Sequence, residues 1–269
     1  MNFRIKIQIF FTRLGVRTIG QTSDGIRLVT KKGLTSGVML DYIYQNQPHG
    51  RFLIGKWLDK VYLANAGWED VRTRKANLEQ YLVEGIYVQR MLQRQPTVVD
   101  IAAGSARYIL DVKSKEGMAD VVVLCRDIDK EALARGEKNA LALGVKGISF
   151  STGDAFSAES LGAVTPKANI AVSSGFYDWI NEDALVQKSM SLLYDILPAK
   201  GCFLFTNQAR HVNQEFAQGV FTDLRGQPLR MTMRSAAQMN GWAETAGFKI
   251  MKTTGDEKFN YSVTLAQKP

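Results

Sequence analysis

The chain has 269 residues, 45% of them apolar, so it can bury the core of one large domain and still carry an extension. Its net charge of +8 favours an anionic partner, namely RNA, an acidic small molecule or an anionic lipid surface, without choosing among them. The two cysteines lack metal or redox spacing, and no apolar run reaches the roughly 18 residues of a membrane span. These features point away from a disulfide framework, a metal site and a transmembrane helix, and they fit a cytoplasmic protein.

The first twenty residues mix apolar and basic side chains and have two interpretations. Apolar residues alternate along the segment as in a strand, whereas the same segment as a helix would be basic and amphipathic. Lys6 interrupts the apolar stretch and no small-residue cleavage site follows, which argues against a signal peptide. We expect an element packed on the domain or a tail, with peripheral contact at the inner membrane surface as the alternative.

The next segment, residues 21–50, is rich in turn signals and predicts a lid or packing arm. Apolar residues then recur at helical spacing from Ile54 to Ala66. Gly67-Trp68 is expected to break this helix, and a longer helix is predicted over Val71–Leu92. Three basic residues near its start either face the carboxylate of a bound cofactor or are solvated charge: Arg72, Arg74 and Lys75.

The stretch around residue 100 organises the rest of the chain. An apolar strand, Thr97–Ile101, runs into a turn of small residues and then into a helix that starts near Tyr108. Such an element binds nucleotide-like cofactors, because small side chains admit a ligand to the backbone and the helix terminus offers free N–H groups. The turn has one glycine, Gly104, where a dinucleotide fold needs G-x-G-x-x-G, so an NAD-dependent oxidoreductase is disfavoured.

Two further strands are followed by acidic residues. The run Val121–Leu124 leads to Asp127, which follows Gly104 at close to the roughly 20-residue offset expected for a ribose-binding carboxylate. A third strand, Gly147–Phe150, leads to the segment Gly153–Phe156, which contains the acidic residue Asp154. The order of these pieces predicts a nucleoside-binding site at the ends of three strands.

The second half of the chain continues the alternation of strands and helices. Tyr177 follows a fourth strand, on the side where ligands lie outside the carboxyl ends of parallel strands. His211 lies beyond a fifth strand, and its imidazole is suited to accept a proton near neutral pH, with a hydrogen-bonded structural histidine as the alternative. The remaining predicted elements are Asn169–Ser173, Glu182–Leu197, Cys202–Thr206, Phe248–Thr253 and Tyr261–Ala266.

The stretch from Asp100 to Ala106 resembles the D-x-G-x-G-x-G motif of class I S-adenosylmethionine-dependent methyltransferases. The three glycine positions of the motif hold Ala102, Gly104 and Ala106, so two glycines are replaced by alanine. Ala106 stands where the family pattern leads us to expect glycine, which narrows the turn. The resemblance implies S-adenosylmethionine as the cofactor. It also implies a set of cofactor-binding residues: Asp100, Ala102, Gly104, Asp127, Ile128, Asp154, Ala155 and Ser173.

A narrower resemblance covers the chain from about Gly25 to its C-terminus. This part of the chain resembles a bacterial methyltransferase family. Members of that family occur alone or as the C-terminal half of a fusion behind an α/β-hydrolase. The similar residues are 36–44, 55–63, 67–68, 72–75, 100–104 and 107–108. The chain has no G-x-S-x-G nucleophile elbow, so we expect only the methyltransferase half.

The expected fold is α/β, a Rossmann-like seven-stranded methyltransferase sheet with an antiparallel last strand and a helical N-terminal extension. We expect an extension and lid over residues 1–75 and a methyltransferase domain over residues 76–269. The expected reaction is methyl transfer to a small-molecule or lipid-like acceptor without a metal. Candidate catalytic residues are Tyr177 and His211, and candidate substrate contacts are Tyr62, Trp68 and Tyr177.

Two alternatives stay open. An RNA methyltransferase is supported by the basic charge alone, since no appended RNA-binding module is recognisable. A non-catalytic binding module with the methyltransferase fold is suggested by Ala102 and Ala106, but the intact Asp100, Gly104 and Asp127 count against it.

Overall fold

The structure is a computed structural model that describes residues 3–34, 36–210, 214–223, 226–227, 229–255 and 260–269. The chain divides into two compact units. The first comprises residues 1–72 and 211–230, and the second comprises residues 73–210 and 231–269. The predicted lid role of residues 1–75 stays a prediction, and His211 lies outside the described residues.

The helices are numbered in chain order through both units. They are α1 Phe3–Arg17, α2 Asp24–Lys32, α3 Gly37–Gln45, α4 Phe52–Leu63, α5 Ala66–Met91, α6 Arg107–Lys113, α7 Lys130–Ala142, α8 Ala158–Gly162, α9 Asp183–Ile196, α10 Gln214–Val220 and α11 Ala236–Thr245. Short 3₁₀ turns occupy Ile19–Thr22 and Tyr177–Trp179. Among the described helices, none combines the length and the apolar character needed to cross a membrane.

The first unit is helical where turns were expected. The side chain of Ser23 accepts a hydrogen bond from the Ile26 N–H at 3.1 Å, and that of Ser36 accepts one from the Met39 N–H at 3.2 Å. Both serines therefore cap helices, and Gly33, with a φ of 77°, ends α2. The turn signals in residues 21–50 therefore mark the ends of α2 and α3, and the role of this segment as a lid or packing arm stays a prediction. The N-terminal segment is also a helix.

A buried carboxylate, Asp59 of α4, joins several segments of the first unit. Its Oδ1 accepts hydrogen bonds from the Ser23 hydroxyl at 2.5 Å and from the Gly25 N–H at 2.7 Å. Its Oδ2 accepts from the His49 N–H at 2.8 Å and from the Tyr42 hydroxyl. These four donors stabilise a charge that would otherwise be costly to bury.

The second unit is built on one seven-stranded sheet. Its strands are β1 Thr97–Asp100, β2 Val122–Asp127, β3 Ile148–Thr152, β4 Ile170–Ser173, β5 Cys202–Gln208, β6 Lys249–Thr254 and β7 Tyr261–Gln267. The spatial order is β3-β2-β1-β4-β5-β7-β6. Neighbours from β3 to β5 are parallel, and β7 is antiparallel to both β5 and β6. The predicted Rossmann-like sheet with an antiparallel last strand is confirmed.

Two hydrophobic clusters cover the two faces of this sheet. One cluster packs α5 and α6 on the sheet, with Leu82 and Ile109 among its fully buried members. The other packs α8, α9 and α11, with Met190 and Met239 fully buried. Because both faces are covered, ligands can approach the parallel strands only at their ends.

Two predicted boundaries differ from the structure. The helix break lies at residues 64–65, so Gly67-Trp68 fall inside α5, where the Gly67 N–H donates to the Asn65 side chain at 2.9 Å. Strand β5 continues past Thr206 to Gln208 because β7 pairs with it along its length. Asn207 and Gln208, which follow the predicted strand Cys202–Thr206, therefore lie inside β5.

Candidate active site

The carboxyl ends of four parallel strands bring most of the predicted cofactor residues to one edge of the sheet. Asp100 ends β1, Asp127 ends β2 and Ser173 ends β4, while Asp154 follows β3 closely. The strand order reverses its direction between β1 and β4. Open α/β sheets bind ligands at such a switch point, outside the carboxyl ends of the strands.

The turn after β1 is held by hydrogen bonds to the end of β2. The Gly104 N–H donates to Asp127 Oδ2 at 2.7 Å, and the Ala103 N–H donates to the Arg126 carbonyl at 3.0 Å. Gly104 and Ala106 have φ values of 55° and 54°, so both lie in the left-handed region that favours glycine. Ala102, the remaining predicted turn residue, is half-buried. Ala106 therefore has the left-handed backbone conformation that is typical of glycine.

Asp127 keeps acceptor capacity after its contacts within the chain are counted. Its Oδ1 accepts from the Asp129 N–H at 2.9 Å and its Oδ2 accepts from Gly104. Burial raises the pKa of Asp127, and these backbone N–H groups act against that rise. An ionised carboxylate offers about four acceptor positions, so room for a ligand hydroxyl remains on each oxygen. The next residue, Ile128, is 68% exposed and offers an apolar surface beside the carboxylate.

Asp100 is fully buried behind the same turn. Its Oδ2 accepts a hydrogen bond from the Tyr108 hydroxyl at the start of α6. Burial raises the pKa of Asp100 to about 7, while the bonds from Tyr108 and from the Ala102 backbone oppose this rise. The sequence analysis gave the Tyr108 side chain no role, because its contact with Asp100 spans the turn between β1 and α6.

The segment after β3 places Asp154 at the surface and Ala155 in the core. Asp154 Oδ1 accepts from the Phe156 N–H at 2.8 Å, and the Asp154 N–H donates to Ser160 Oγ at 3.0 Å. Arg126 donates to both the carbonyl and the hydroxyl of Ser160. Arg126 and Ser160 thereby position the Asp154 segment, and no sequence motif marks either residue.

The end of β4 combines a buried cation with a tight turn. Gly175 has a φ of 63°, and its N–H donates to Thr206 Oγ1 at 2.7 Å. A side chain at Gly175 would begin 3.0 Å from the guanidinium of Arg74, which also lies 4.8 Å from the centre of the Tyr261 ring. Arg74 is 4% exposed, so it is packed against this turn rather than solvated. Ser173, at the end of β4, is fully buried.

The predicted catalytic tyrosine does not face the edge of the sheet. Tyr177 is fully buried, its hydroxyl lies 3.1 Å from Ser189 Oγ, and its carbonyl accepts from Arg234 at 2.8 Å. Burial raises the pKa of Tyr177 to about 12, which makes its hydroxyl a poor proton acceptor near neutral pH. The structure therefore assigns Tyr177 to the core, and we do not propose it as a catalytic or substrate-contacting residue.

The two aromatic residues predicted to line a pocket lie together in the first unit. The ring centres of Tyr62 and Trp68 are 5.8 Å apart in an edge-on arrangement. Their predicted contact with substrate stays a prediction. Within the described part of the chain, no group of three or more His, Cys, Asp or Glu side chains is placed to hold a metal ion.

The seven-stranded sheet, with acidic residues at the carboxyl ends of its strands, has the Rossmann-like fold of methyltransferases. The chain belongs to a family described as "Putative methyltransferase", which matches residues 4–268. It is also 34% identical over 258 residues to the protein YnbC of Escherichia coli, covering 95% of this chain and 44% of that relative. The chain thus spans less than half the length of this curated relative.

Two solved structures share the fold. A possible exported protein from Bordetella parapertussis has a TM-score of 0.72 and 17% identity, covering 98% of this chain and 93% of the other. Magnesium protoporphyrin IX methyltransferase from Synechocystis, solved with bound SAH, has a TM-score of 0.53 and 14% identity, covering 77% of this chain and 89% of the other. At these identities the likeness establishes the fold.

Proposed function

We propose that this protein binds S-adenosylmethionine at the carboxyl edge of its sheet and transfers the methyl group to a small, lipid-like acceptor. The observation that carries the cofactor half is Asp127. Its carboxylate ends β2, holds the turn after β1 through Gly104, and retains acceptor positions for two hydroxyls.

The other residues of the edge fit the chemistry of the same cofactor. The exposed side chain of Ile128, which follows β2, would pack on the adenine ring. Asp154 is exposed after the neighbouring strand β3 and would accept a hydrogen bond from the adenine amine. The left-handed turn at Gly104 would lie against the methionine part, with Asp100 behind it. When bound, the cofactor supplies a methyl group already activated on a sulfonium.

The acceptor class is supported by the aromatic residues after β3 and β4. Phe156 and Phe176 are both partly buried, and their ring centres lie 5.4 Å apart. This pair offers an apolar wall, which suits an acceptor with a hydrocarbon part better than a nucleic acid. Since the methyl donor is activated, orienting the acceptor and excluding water would supply much of the catalysis.

The cofactor proposal is tested by calorimetric titration of the purified protein with S-adenosylhomocysteine and, separately, with NAD. We expect micromolar affinity for the first ligand and none for the second. Asp127→Ala removes two charged hydrogen bonds worth about 1.5–3 kcal/mol each, so its affinity should fall by at least about 100-fold. Asp129→Ser keeps the cap of α7 and should bind within about threefold of the natural protein.

Two results would contradict this part of the proposal. One is a folded, ligand-free natural protein that does not bind S-adenosylhomocysteine. The other is an Asp127→Ala variant that keeps its circular dichroism spectrum and binds as tightly as the natural protein. The first outcome would favour a non-catalytic module with the same fold, and the second would remove Asp127 from the cofactor site.

The acceptor proposal needs a separate assay. The protein is incubated with S-adenosylmethionine labelled in its methyl group and with either a bacterial lipid extract or total RNA. We expect the label in the organic phase and none in RNA. Label in RNA alone would overturn the lipid-like acceptor while leaving the cofactor assignment intact.

A further inference from the structure

Helix α1 has two apolar faces, and only one of them packs on the protein. Ile9 is buried and lies against Gly219 of α10, which defines the packed face. At 3.6 residues per turn, five further apolar side chains fall within an arc of about 100° on the opposite face. These are exposed: Phe3, Ile7, Phe10, Phe11 and Leu14.

Helix α4 repeats this arrangement. Its packed face is formed by Gly55, Asp59 and Leu63, which are all buried. The opposite face, again within about 100° by helical geometry, carries exposed apolar residues, with Leu53 89% exposed and Trp57 58% exposed. Ile54 and Val61 complete it. Both α1 and α4 pack on α2 and on the 3₁₀ turn Ile19–Thr22, so the first unit carries both exposed faces.

The charges that α1 and α4 themselves place beside these two faces are positive. Helix α1 contains no acidic residue, and Lys6, Arg13 and Arg17 flank one side of its exposed face. Helix α4 places Lys56 and Lys60 beside its own face. The single acidic residue of α4 is Asp59, which is buried and bonded to donors inside the unit.

We infer that the exposed faces of α1 and α4 form a docking surface for an anionic lipid bilayer. Apolar and aromatic side chains on one face of a helix, bordered by lysine and arginine, are the composition of helices that lie in the membrane interface. The cations would be neutralised by anionic headgroups. A second copy of the chain is a poorer occupant, because two such faces would bring like charges together.

This inference does not rest on the proposed reaction, and it is tested without the cofactor. The full chain is sedimented with vesicles of phosphatidylcholine alone or with about one third phosphatidylglycerol. We expect binding to the anionic vesicles, weakened by salt. The double variant Phe10→Asp, Phe11→Asp should lose at least about tenfold in partitioning, and so should Lys56→Glu, Lys60→Glu.

A matched control is available in the second unit. Leu141 of α7 is 83% exposed and Leu143, just after it, is 49% exposed, so the double variant Leu141→Asp, Leu143→Asp adds the same two charges at exposed apolar positions. Its partitioning should equal that of the natural chain. Equal loss in this control would show that binding depends only on net charge and would overturn the docking surface.

A second readout locates the contact on α4. With lipids brominated in the acyl chains, tryptophan fluorescence of the natural chain should be quenched on binding, because Trp57 would enter the interface. Trp57→Phe should bind as well but lose most of the quenching. Absence of binding to anionic vesicles would overturn the inference, as would a Phe10→Asp, Phe11→Asp variant altered only in its oligomeric state.

Discussion

Asp59 in the first unit and Asp127 in the second are both largely buried carboxylates, yet they differ in how their oxygens are occupied. Asp59 receives four hydrogen bonds from within its unit, two on each oxygen. Asp127 receives one on each oxygen from neighbouring backbone N–H groups. A carboxylate with about four acceptor positions is therefore saturated in the first case and half-occupied in the second.

This difference separates a structural acid from a binding one. Asp59 is fully buried and Asp127 is partly buried, but it is the count of donors that identifies Asp127 as the one with capacity for a ligand. The two units also differ in the part of the surface at which we propose binding. The proposed cofactor site of the second unit lies at strand ends, and the proposed docking surface of the first unit lies on the exposed faces of α1 and α4.

The largest effect on stability is expected for Asp59→Ala. The variant leaves four donors, including Ser23, Gly25 and His49, without their acceptor in a buried place, and should lose about 4 kcal/mol or more of unfolding free energy. Urea denaturation measures the loss. Asp24→Ala, which removes a surface ion pair with Arg27, should lose about 0.5 kcal/mol.

The same variant sharpens the comparison through ligand binding. All the proposed cofactor residues belong to the second unit, so Asp59→Ala protein that remains folded should bind S-adenosylhomocysteine within about threefold of the natural protein. A cofactor affinity that collapses together with the stability of the first unit would mean that Asp59 contributes to the site.

The next effect concerns pH and Asp100. Burial raises its pKa from an ordinary 3.8 to about 7, so the folded state holds a proton that the unfolded state has released between these values. Unfolding free energy from this group should therefore fall as pH rises from 4 to 7. Asp100→Asn should flatten that fall and be more stable than the natural protein at pH 8, by up to a few kcal/mol.

Thermal unfolding between pH 4 and pH 8 measures this dependence. Asp178 titrates in the same range, because burial raises its pKa to about 6 against the opposing charges of Arg74 and Arg234. Asp178→Asn should therefore remove a further part of the slope. An unchanged pH profile in Asp100→Asn would contradict the assignment of the slope to Asp100.

The sheet of the second unit could be predicted from the sequence because its central strands are covered on both faces. They appear as short continuous apolar runs, such as Val98-Val99, that end in acids or small residues. In the first unit, α4 could be predicted from its helical apolar spacing, but α2 and α3 could not. Ser23 and Ser36 are turn residues by type, and only the structure shows that each one caps a helix.

The site could be predicted in part for a related reason. Parallel strands bring their carboxyl ends to one edge, so the order of the strands was enough to group Asp100, Asp127 and Asp154. The direction of a side chain does not follow from that order. Tyr177 lies just past β4 but points into the core, and Arg126 reaches Ser160 through a contact that no motif encodes.

A smaller effect is expected where α7 passes the turn after β1. A side chain added at Gly136 would begin 2.5 Å from the Phe150 ring and 3.1 Å from the Ser105 carbonyl, so Gly136→Ala should lose about 1–3 kcal/mol. Because Ser105 belongs to the turn, the affinity for S-adenosylhomocysteine should fall too. Gly241→Ala, in α11 with open space around it, should gain about 0.5 kcal/mol.

The smallest effect is expected at the alanine that replaces an expected glycine. Ala106→Gly removes the strain of an alanine in the left-handed region, which is worth about 1–2 kcal/mol. Against this gain, the variant loses a buried methyl group worth about 0.8 kcal/mol. Glycine also raises the conformational entropy of the unfolded chain, which lowers stability further. These terms nearly cancel, so the unfolding free energy should change by less than about 1 kcal/mol. Urea denaturation measures the change.

The affinity for S-adenosylhomocysteine should also change by less than about threefold in Ala106→Gly, because the turn is held from outside that residue. The bonds from Gly104 to Asp127 and from Ala103 to Arg126 fix the backbone whichever residue follows. A gain in affinity of tenfold or more would show instead that the alanine narrows the site. In that case the departure from the family motif, rather than the carboxylates, would limit cofactor binding in this chain.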